Sequence, residues 1–295
     1  MTHIAFIGLG HMGNPMVKNL LKSGFAVKVF DISSAAMQSL VSHGAIAALS
    51  IAEAVKNADV VITMLQTSEQ VRNTCLNAEG IFAQVKQDVL YIDSSSIDIM
   101  TTRELHDAAK IAGIAMLDAP VSGGVAGAES ATLTFMVGGS LQAFDRAKLY
   151  FEKMGKKIVH AGGAGSGQAA KICNNLILGI SMVGDSEAFS LGEKLWLDAK
   201  KFFEISSNAS GQCWSMTSYC PVPGLVESAP SNHDYKPGFA ARMMLKDLHL
   251  AQHAAEMVNA AIPLATIAAE LYTLFVNQGN ADVDFSGIIK LIAGD

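Results

Sequence analysis

Short apolar runs rich in Val, Ile and Phe occupy residues 3–8, 26–31, 59–65, 88–93, 114–118 and 133–137, and segments with apolar positions at helical spacing lie between them. Strands alternating with helices predict crossover units that build a mostly parallel, doubly wound sheet. Several of the runs end in Asp or Gly, at the edge where open α/β sheets place their ligands. Past the glycine-rich stretch Ala161-Gly162-Gly163-Ala164-Gly165 the strand signals give way to helical patterns. Residues 1–163 are therefore expected to form an α/β domain and residues 164–295 an all-α domain, joined through a long helix.

That helix is predicted over 168–194, where small and apolar residues recur at helical spacing and Gly179, Gly184 and Gly192 permit close packing. It is expected to be buried, and its apolar character to make subunit contacts, in a homodimer or homotetramer. Pro221, Pro223, Pro230 and Pro237 break the following region, which contains Trp214 and Tyr219, before helices resume near Phe239 and run through Lys246 and His253.

Composition narrows the function classes. Half the residues are hydrophobic and 16% are charged, ample for a packed core. The net charge of −6 argues against a nucleic-acid partner, because phosphate-backbone affinity comes from clustered Lys and Arg. No run of about 18 apolar residues lacks a polar interruption, so no membrane span is expected. Ile4-Ala5-Phe6-Ile7 has no basic segment before it and runs into Gly8 instead of a cleavage site, so it reads as a strand. Cys75, Cys173, Cys213 and Cys220 have no metal spacing, which fits a reducing cytoplasm. His249 and His253 stand four apart without an intervening Glu or a third ligand, so they read as a helix-face pair and no metal is expected.

Gly8-Leu9-Gly10-His11-Met12-Gly13 is a GxGxxG motif between an apolar strand and a helix-forming run that includes Val17, Leu20 and Leu21. Its glycines permit a tight turn and close approach of backbone to a pyrophosphate, and the helix N-terminus supplies N–H donors. Together with the alternating pattern it predicts a Rossmann domain. Asp31 ends the next strand 18 residues after Gly13. A carboxylate there accepts from the adenosine ribose hydroxyls and repels a 2′-phosphate, which favours NAD over NADP. Its other reading is a cap for the helix at Ser33-Ser34-Ala35.

Three further motifs carry candidate chemistry. Asp118-Ala119-Pro120-Val121-Ser122-Gly123-Gly124 opens a strand end into a turn whose N–H groups and hydroxyl suit a carboxylate, or is simply a loop. Gly165-Ser166-Gly167-Gln168-Ala169-Ala170-Lys171-Ile172-Cys173-Asn174-Asn175 places Lys171 and Asn175 on one helix face. A lysine there is either used or snorkels to solvent. Phe239 precedes Lys246-Asp247-Leu248, whose bland reading is an exposed charge pair.

In this order, over essentially the whole chain, the motifs resemble those of the β-hydroxyacid dehydrogenase family. The resemblance implies that Ser122, Gly123 and Gly124 hold the substrate carboxylate, that Lys171 is the acid–base catalyst, and that Asn175 positions substrate. It places Lys246 and Asp247, with Phe239, on the nicotinamide side. It also sets Met64, Leu65, Gln66 and Gln70, and Ser94-Ser95-Ser96 with Ser96 where the family often has Thr, against the dinucleotide. Burial and a cationic nicotinamide would favour the neutral amine that takes the hydroxyl proton. The proline-rich stretch 214–239 resembles the branch that oxidises 3-hydroxyisobutyrate to methylmalonate semialdehyde in valine breakdown, although Val222 stands where that branch often has Trp. The alternatives are reduction of tartronate semialdehyde to glycerate, and a dinucleotide-binding scaffold without chemistry.

Overall fold

Along β1 (His3–Ile7), Ile4 and Phe6 enter one hydrophobic core and Ala5 and Ile7 the other, because successive strand side chains point to opposite faces. The same parity holds in β4 (Val60–Thr63) and β5 (Leu90–Asp93): Val60, Ile62, Leu90 and Ile92 face the first core, Val61 and Tyr91 the second. A parallel sheet covered on both faces requires this. Each buried large side chain contributes roughly 1.5–3 kcal/mol. Residues 2–294 of this computed structural model are described. They divide into two compact units, Met1–Lys171 and Ile172–Asp295.

The first unit is one sheet in the order β3-β2-β1-β4-β5-β6-β8-β7, with β9 also on β8. Besides the strands above it contains β2 (Ala26–Phe30), β3 (Ile46–Ala47), β6 (Ala115–Asp118), β7 (Val121–Ser122), β8 (Leu133–Gly139) and β9 (Gly155–Gly162). From β3 to β6 all pairings are parallel, and β8 runs antiparallel to β6. The chain moves outward from β1 through β2 to β3, then returns to place β4 on the other side of β1. The carboxyl ends of β1 and β4 thus flank the topological switch point, where open sheets bind ligands. Helix α1 (Gly13–Lys22) follows β1, α2 (Ser68–Leu76) follows β4 and α3 (Ile99–Ile111) follows β5.

Helix α4 (Ser166–Lys194) begins in the first unit and continues into the second. The second unit adds α5 (Ala241–Val258) and α6 (Pro263–Phe275), whose Met244, Leu248, Ala268 and Tyr272 share a core with Met182 and Val183 of α4. The expectation of a buried α4 holds for one side only within the chain: Ile177 and Leu191 are 64% and 60% exposed, so the helix has a bare apolar side. Of Gly179, Gly184 and Gly192, only Gly179 is needed for close packing, since a Cβ there would lie 2.9 Å from Leu248 Cδ2 while Gly184 faces open space. No helix among the described residues is long and apolar enough to cross a membrane.

The end of α4 is strained. Trp196 N donates to Glu193 O and Leu197 N to Gly192 O, the paired bonds of a Schellman cap. Trp196 holds the left-handed position at φ 55°, where glycine is usual, and is 94% exposed. Trp196→Gly should therefore stabilise the protein by about 0.5–1 kcal/mol, the left-handed cost less the entropy glycine adds to the unfolded chain. A urea midpoint that rises for the variant agrees with this, and one that falls refutes it.

Candidate active site

The turn after β1 is built so that its backbone lies bare. Gly8 has φ 95°, and a Cβ there would collide with Met64 O; a Cβ on Gly13 would collide with Gly8 O. Gly10 is exposed with nothing within 4 Å of the place its Cβ would occupy. That open cradle leads into α1, which has neither a side-chain cap nor an acidic residue in its first turn. Such a helix start suits a phosphate. Leu9 and Met12 of the turn are buried and half-buried, and His11 is exposed.

Asp31, expected as a ribose acceptor, braces the turn. Its Oδ2 accepts from Leu9 N at 2.7 Å and its Oδ1 from Ser33 N at 2.7 Å, so the carboxylate ties the glycine turn to the end of β2. The helix that follows is capped by Ser33, whose Oγ accepts from Ala36 N. Each Asp31 oxygen keeps a lone pair for a ribose hydroxyl. These residues fit a dinucleotide.

The loops after β4 and β5 are cross-braced. Leu65 N donates to Ser95 Oγ at 2.9 Å, and Ser95 Oγ donates in turn to Asp93 Oδ1 at 2.6 Å, which also accepts from Thr63 Oγ1 at 2.8 Å. Asp93 is fully buried, and desolvation pushes its carboxyl up to about 6 against the pull of these donors. Gln70 Oε1 accepts from Gln66 N at 3.0 Å, so Gln70 shapes the loop that carries Met64, Leu65 and Gln66. Ser96 is half-buried beside this brace.

The aspartates that end β5 and β6 were expected at the ligand edge, yet both are wholly buried on protein donors. Asp118 Oδ1 lies 2.8 Å from His106 Nε2 and accepts from Gly165 N at 2.9 Å, while Oδ2 accepts from Gln168 N at 3.0 Å. It fastens the start of α4 to the strand that opens the Ser122 turn. In that turn Ser122 pairs with Thr134 of β8, and Gly123 and Gly124 take φ 130° and 62°. Lys171 is buried, one turn beyond this anchor on α4. Asn175 follows one further turn along the same helix face.

In the second unit Asn175 is 1% exposed, and its Nδ2 donates to Asp247 Oδ2 at 2.5 Å. Lys246 Nζ lies 2.9 Å from Asp247 Oδ1, so the pair whose bland reading was an exposed one is attached to a buried amide. Phe239 is held by its backbone: Asp284 Oδ2 accepts from Phe239 N and Gly238 N at 3.0 Å each and from Tyr219 Oη at 2.9 Å. Trp214 stacks on Tyr219, Tyr219 on Phe285, and Phe285 meets Phe239 edge-on at 5.6 Å between centroids. Asp185 of α4 accepts from Ser215 Oγ at 2.5 Å and secures the other end of this aromatic row. Burial raises the carboxyls of Asp185 and Asp284. Neither was picked out from sequence; the only signal was an Asp-x-Ser turn at Asp284-Phe285-Ser286, where Ser286 Oγ and N both donate to Oδ1. His249 and His253 are exposed on α5.

Residues 3–163 match the family profile described as the NAD binding domain of 6-phosphogluconate dehydrogenase. Residues 165–292 match the profile described as NAD-binding of NADP-dependent 3-hydroxyisobutyrate dehydrogenase. The chain is 48% identical over 291 residues to the NAD-dependent L-serine dehydrogenase of Pseudomonas aeruginosa, covering 99% of this chain and 98% of that one. It is 45% identical over 297 residues to the 3-hydroxyisobutyrate dehydrogenase of the same organism, covering 100% and 99%. Among solved structures it is similar to the Mycobacterium tuberculosis 3-hydroxyisobutyrate dehydrogenase with L-serine, at a TM-score of 0.93, 46% identity and 99% coverage of both chains.

Proposed function

The chain belongs to the β-hydroxyacid dehydrogenase family, and from that premise we propose that it oxidises 3-hydroxyisobutyrate to methylmalonate semialdehyde with NAD, with Lys171 as the acid–base residue. The observation that carries this is a buried lysine one turn past a helix start clamped by Asp118, with a buried asparagine one turn further on. Bound NAD supplies the acceptor for the hydride leaving C3. Lys171 takes the 3-hydroxyl proton, which develops as the C3–H bond breaks. Asn175 gives one Nδ2 hydrogen to Asp247 and keeps the other for the substrate oxygen. Ser122 and the peptide N–H groups of Gly123 and Gly124 hold the carboxylate. Gly8, Leu9, Gly10, His11, Met12, Gly13 and Asp31 hold the adenosine diphosphate portion, with Met64, Leu65, Gln66, Gln70 and Ser96 along it and Phe239 and Lys246 at the nicotinamide end. On this assignment residues 1–163 bind cofactor and 164–295 serve substrate and self-association, in a cytoplasmic homodimer or homotetramer working in valine breakdown.

A second substrate is favoured by a particular finding: one similar protein is named for L-serine, and one similar solved structure is of a 3-hydroxyisobutyrate dehydrogenase with L-serine. L-Serine is also a 3-hydroxy acid, with an ammonium at C2 where 3-hydroxyisobutyrate has a methyl and glycerate a hydroxyl. The aromatic and proline surface of 214–239 suits the methyl. Measured with NAD, kcat/KM for 3-hydroxyisobutyrate should exceed that for glycerate by at least about tenfold, the discrimination an apolar wall gives. It should also exceed that for L-serine. If L-serine wins, the chemistry stands and the serine assignment replaces this one; if glycerate wins, the tartronate semialdehyde alternative does.

A further inference from the structure

One residue joins every brace described around the start of α4. Gln168 is wholly buried, and both ends of its side-chain amide are hydrogen-bonded within the first unit. Its Nε2 donates to Ser95 O at 2.7 Å, its Oε1 accepts from Ile97 N at 3.2 Å, and its backbone N–H donates to Asp118 Oδ2 at 3.0 Å. Ser95 in turn carries Leu65 N on its hydroxyl. A continuous hydrogen-bonded path therefore runs from the loop after β4, through the loop after β5, into the first turn of α4 and on to the strand that opens the Ser122 turn. Lys171 is three residues further along, less than one helical turn, so a shift of this turn moves Lys171 with it.

We propose that Gln168 is a positioning residue for the reaction: it sets the helix that carries Lys171 against the cofactor loops and the carboxylate turn at once. The proposal rests on Lys171 being the acid–base residue. Gln168 is neutral at every working pH and carries no proton in the reaction. Nor does it present a group to the cofactor, because its side chain is wholly buried within protein. What it supplies is registry. A displacement of about 1 Å between reacting groups is enough to cost about a hundredfold in rate.

The test uses the full-length protein carrying Gln168→Leu or Gln168→Glu, with Lys171→Ala as a control. Gln168→Leu should lower kcat by about 10- to 100-fold. Its NADH dissociation constant, read by fluorescence, should stay within about threefold, and the deuterium isotope effect on kcat with substrate labelled at C3 should rise as hydride transfer becomes limiting. Gln168→Glu keeps an acceptor for Ile97 N but lacks a donor for Ser95 O until its carboxyl is protonated. Its deficit relative to the parent protein at the same pH, read where circular dichroism shows the variant fully folded, should therefore shrink as pH falls, so that the trend reports registry and not loss of fold. The proposal is overturned if folded variants keep kcat within about threefold, if they lose NADH affinity with kcat intact, or if neither variant folds. Near-normal turnover by Lys171→Ala would instead remove the acid–base assignment on which the proposal rests, whatever the Gln168 variants do.

Discussion

Lys171→Ala should lower kcat by about 10²–10⁴, the scale on which a lost acid–base group is felt, while the protein still folds and binds NADH. Asp118 and Gln168 anchor the start of α4, and both remain in this variant. Lys171→Arg should be nearly as slow, because a guanidinium stays protonated and cannot accept the hydroxyl proton. Asn175→Ala should reduce turnover less than Lys171→Ala, since an amide orients the oxygen without taking its proton. It also leaves Asp247 without its 2.5 Å donor, so its thermal midpoint should fall more than that of Lys171→Ala. Steady-state rates, NADH titration and thermal unfolding on the three variants separate these outcomes. An alanine variant at position 171 with near-normal turnover would take Lys171 out of the mechanism.

Elements whose hydrophobic pattern is dictated by burial on both faces were legible in the sequence. Runs such as Val60-Val61-Ile62, short and β-branched, read as core strands, and six of the nine strands among the described residues follow from apolar runs. β9 did not, for a physical reason: it lies outside β8 away from the parallel ladder, and its Lys156 and Lys157 are exposed, so Gly155–Gly162 carries no apolar run. β3 and β7 are two residues each, too short to leave a periodicity. The bare side of α4 was missed because apolar residues at helical spacing look alike whether one side of the helix or all of it is covered.

The glycine turn was legible because only glycine tolerates what the backbone does there. The supporting carboxylates were not. Asp93, Asp118, Asp185 and Asp284 work by accepting from donors remote in sequence, such as Gly165 N on Asp118 and Tyr219 Oη on Asp284, and nothing in their own neighbourhood announces the partner. Strand-end aspartates suggested a ligand edge; the fold instead buries Asp93 and Asp118 as fasteners. Gln168 sat inside a motif already singled out, but its importance lies in the chain segments it bridges, visible only when 95, 97 and 118 are brought beside it.

Cofactor choice gives the other large effect. With the same acid as substrate, kcat/KM with NAD should exceed that with NADP by at least about 10², or about 2.7 kcal/mol in transition-state terms. A 2′-phosphate would approach a carboxylate already oriented by Leu9 N and Ser33 N, and like charges placed together in a site cost several kcal/mol. No Arg or Lys stands in Ile32-Ser33-Ser34 to receive the phosphate. The comparison is best made on the unaltered protein, because Asp31 also braces the glycine turn. Asp31→Ala removes the acceptor of Leu9 N as well as the proposed ribose contact, so it should weaken NAD binding and narrow the preference together without producing an efficient NADP enzyme. Raising ionic strength should shrink the gap, since part of it is charge repulsion at a half-exposed site. Equal efficiency with the two cofactors at low salt would show that Asp31 serves the turn alone and that the ribose is read elsewhere.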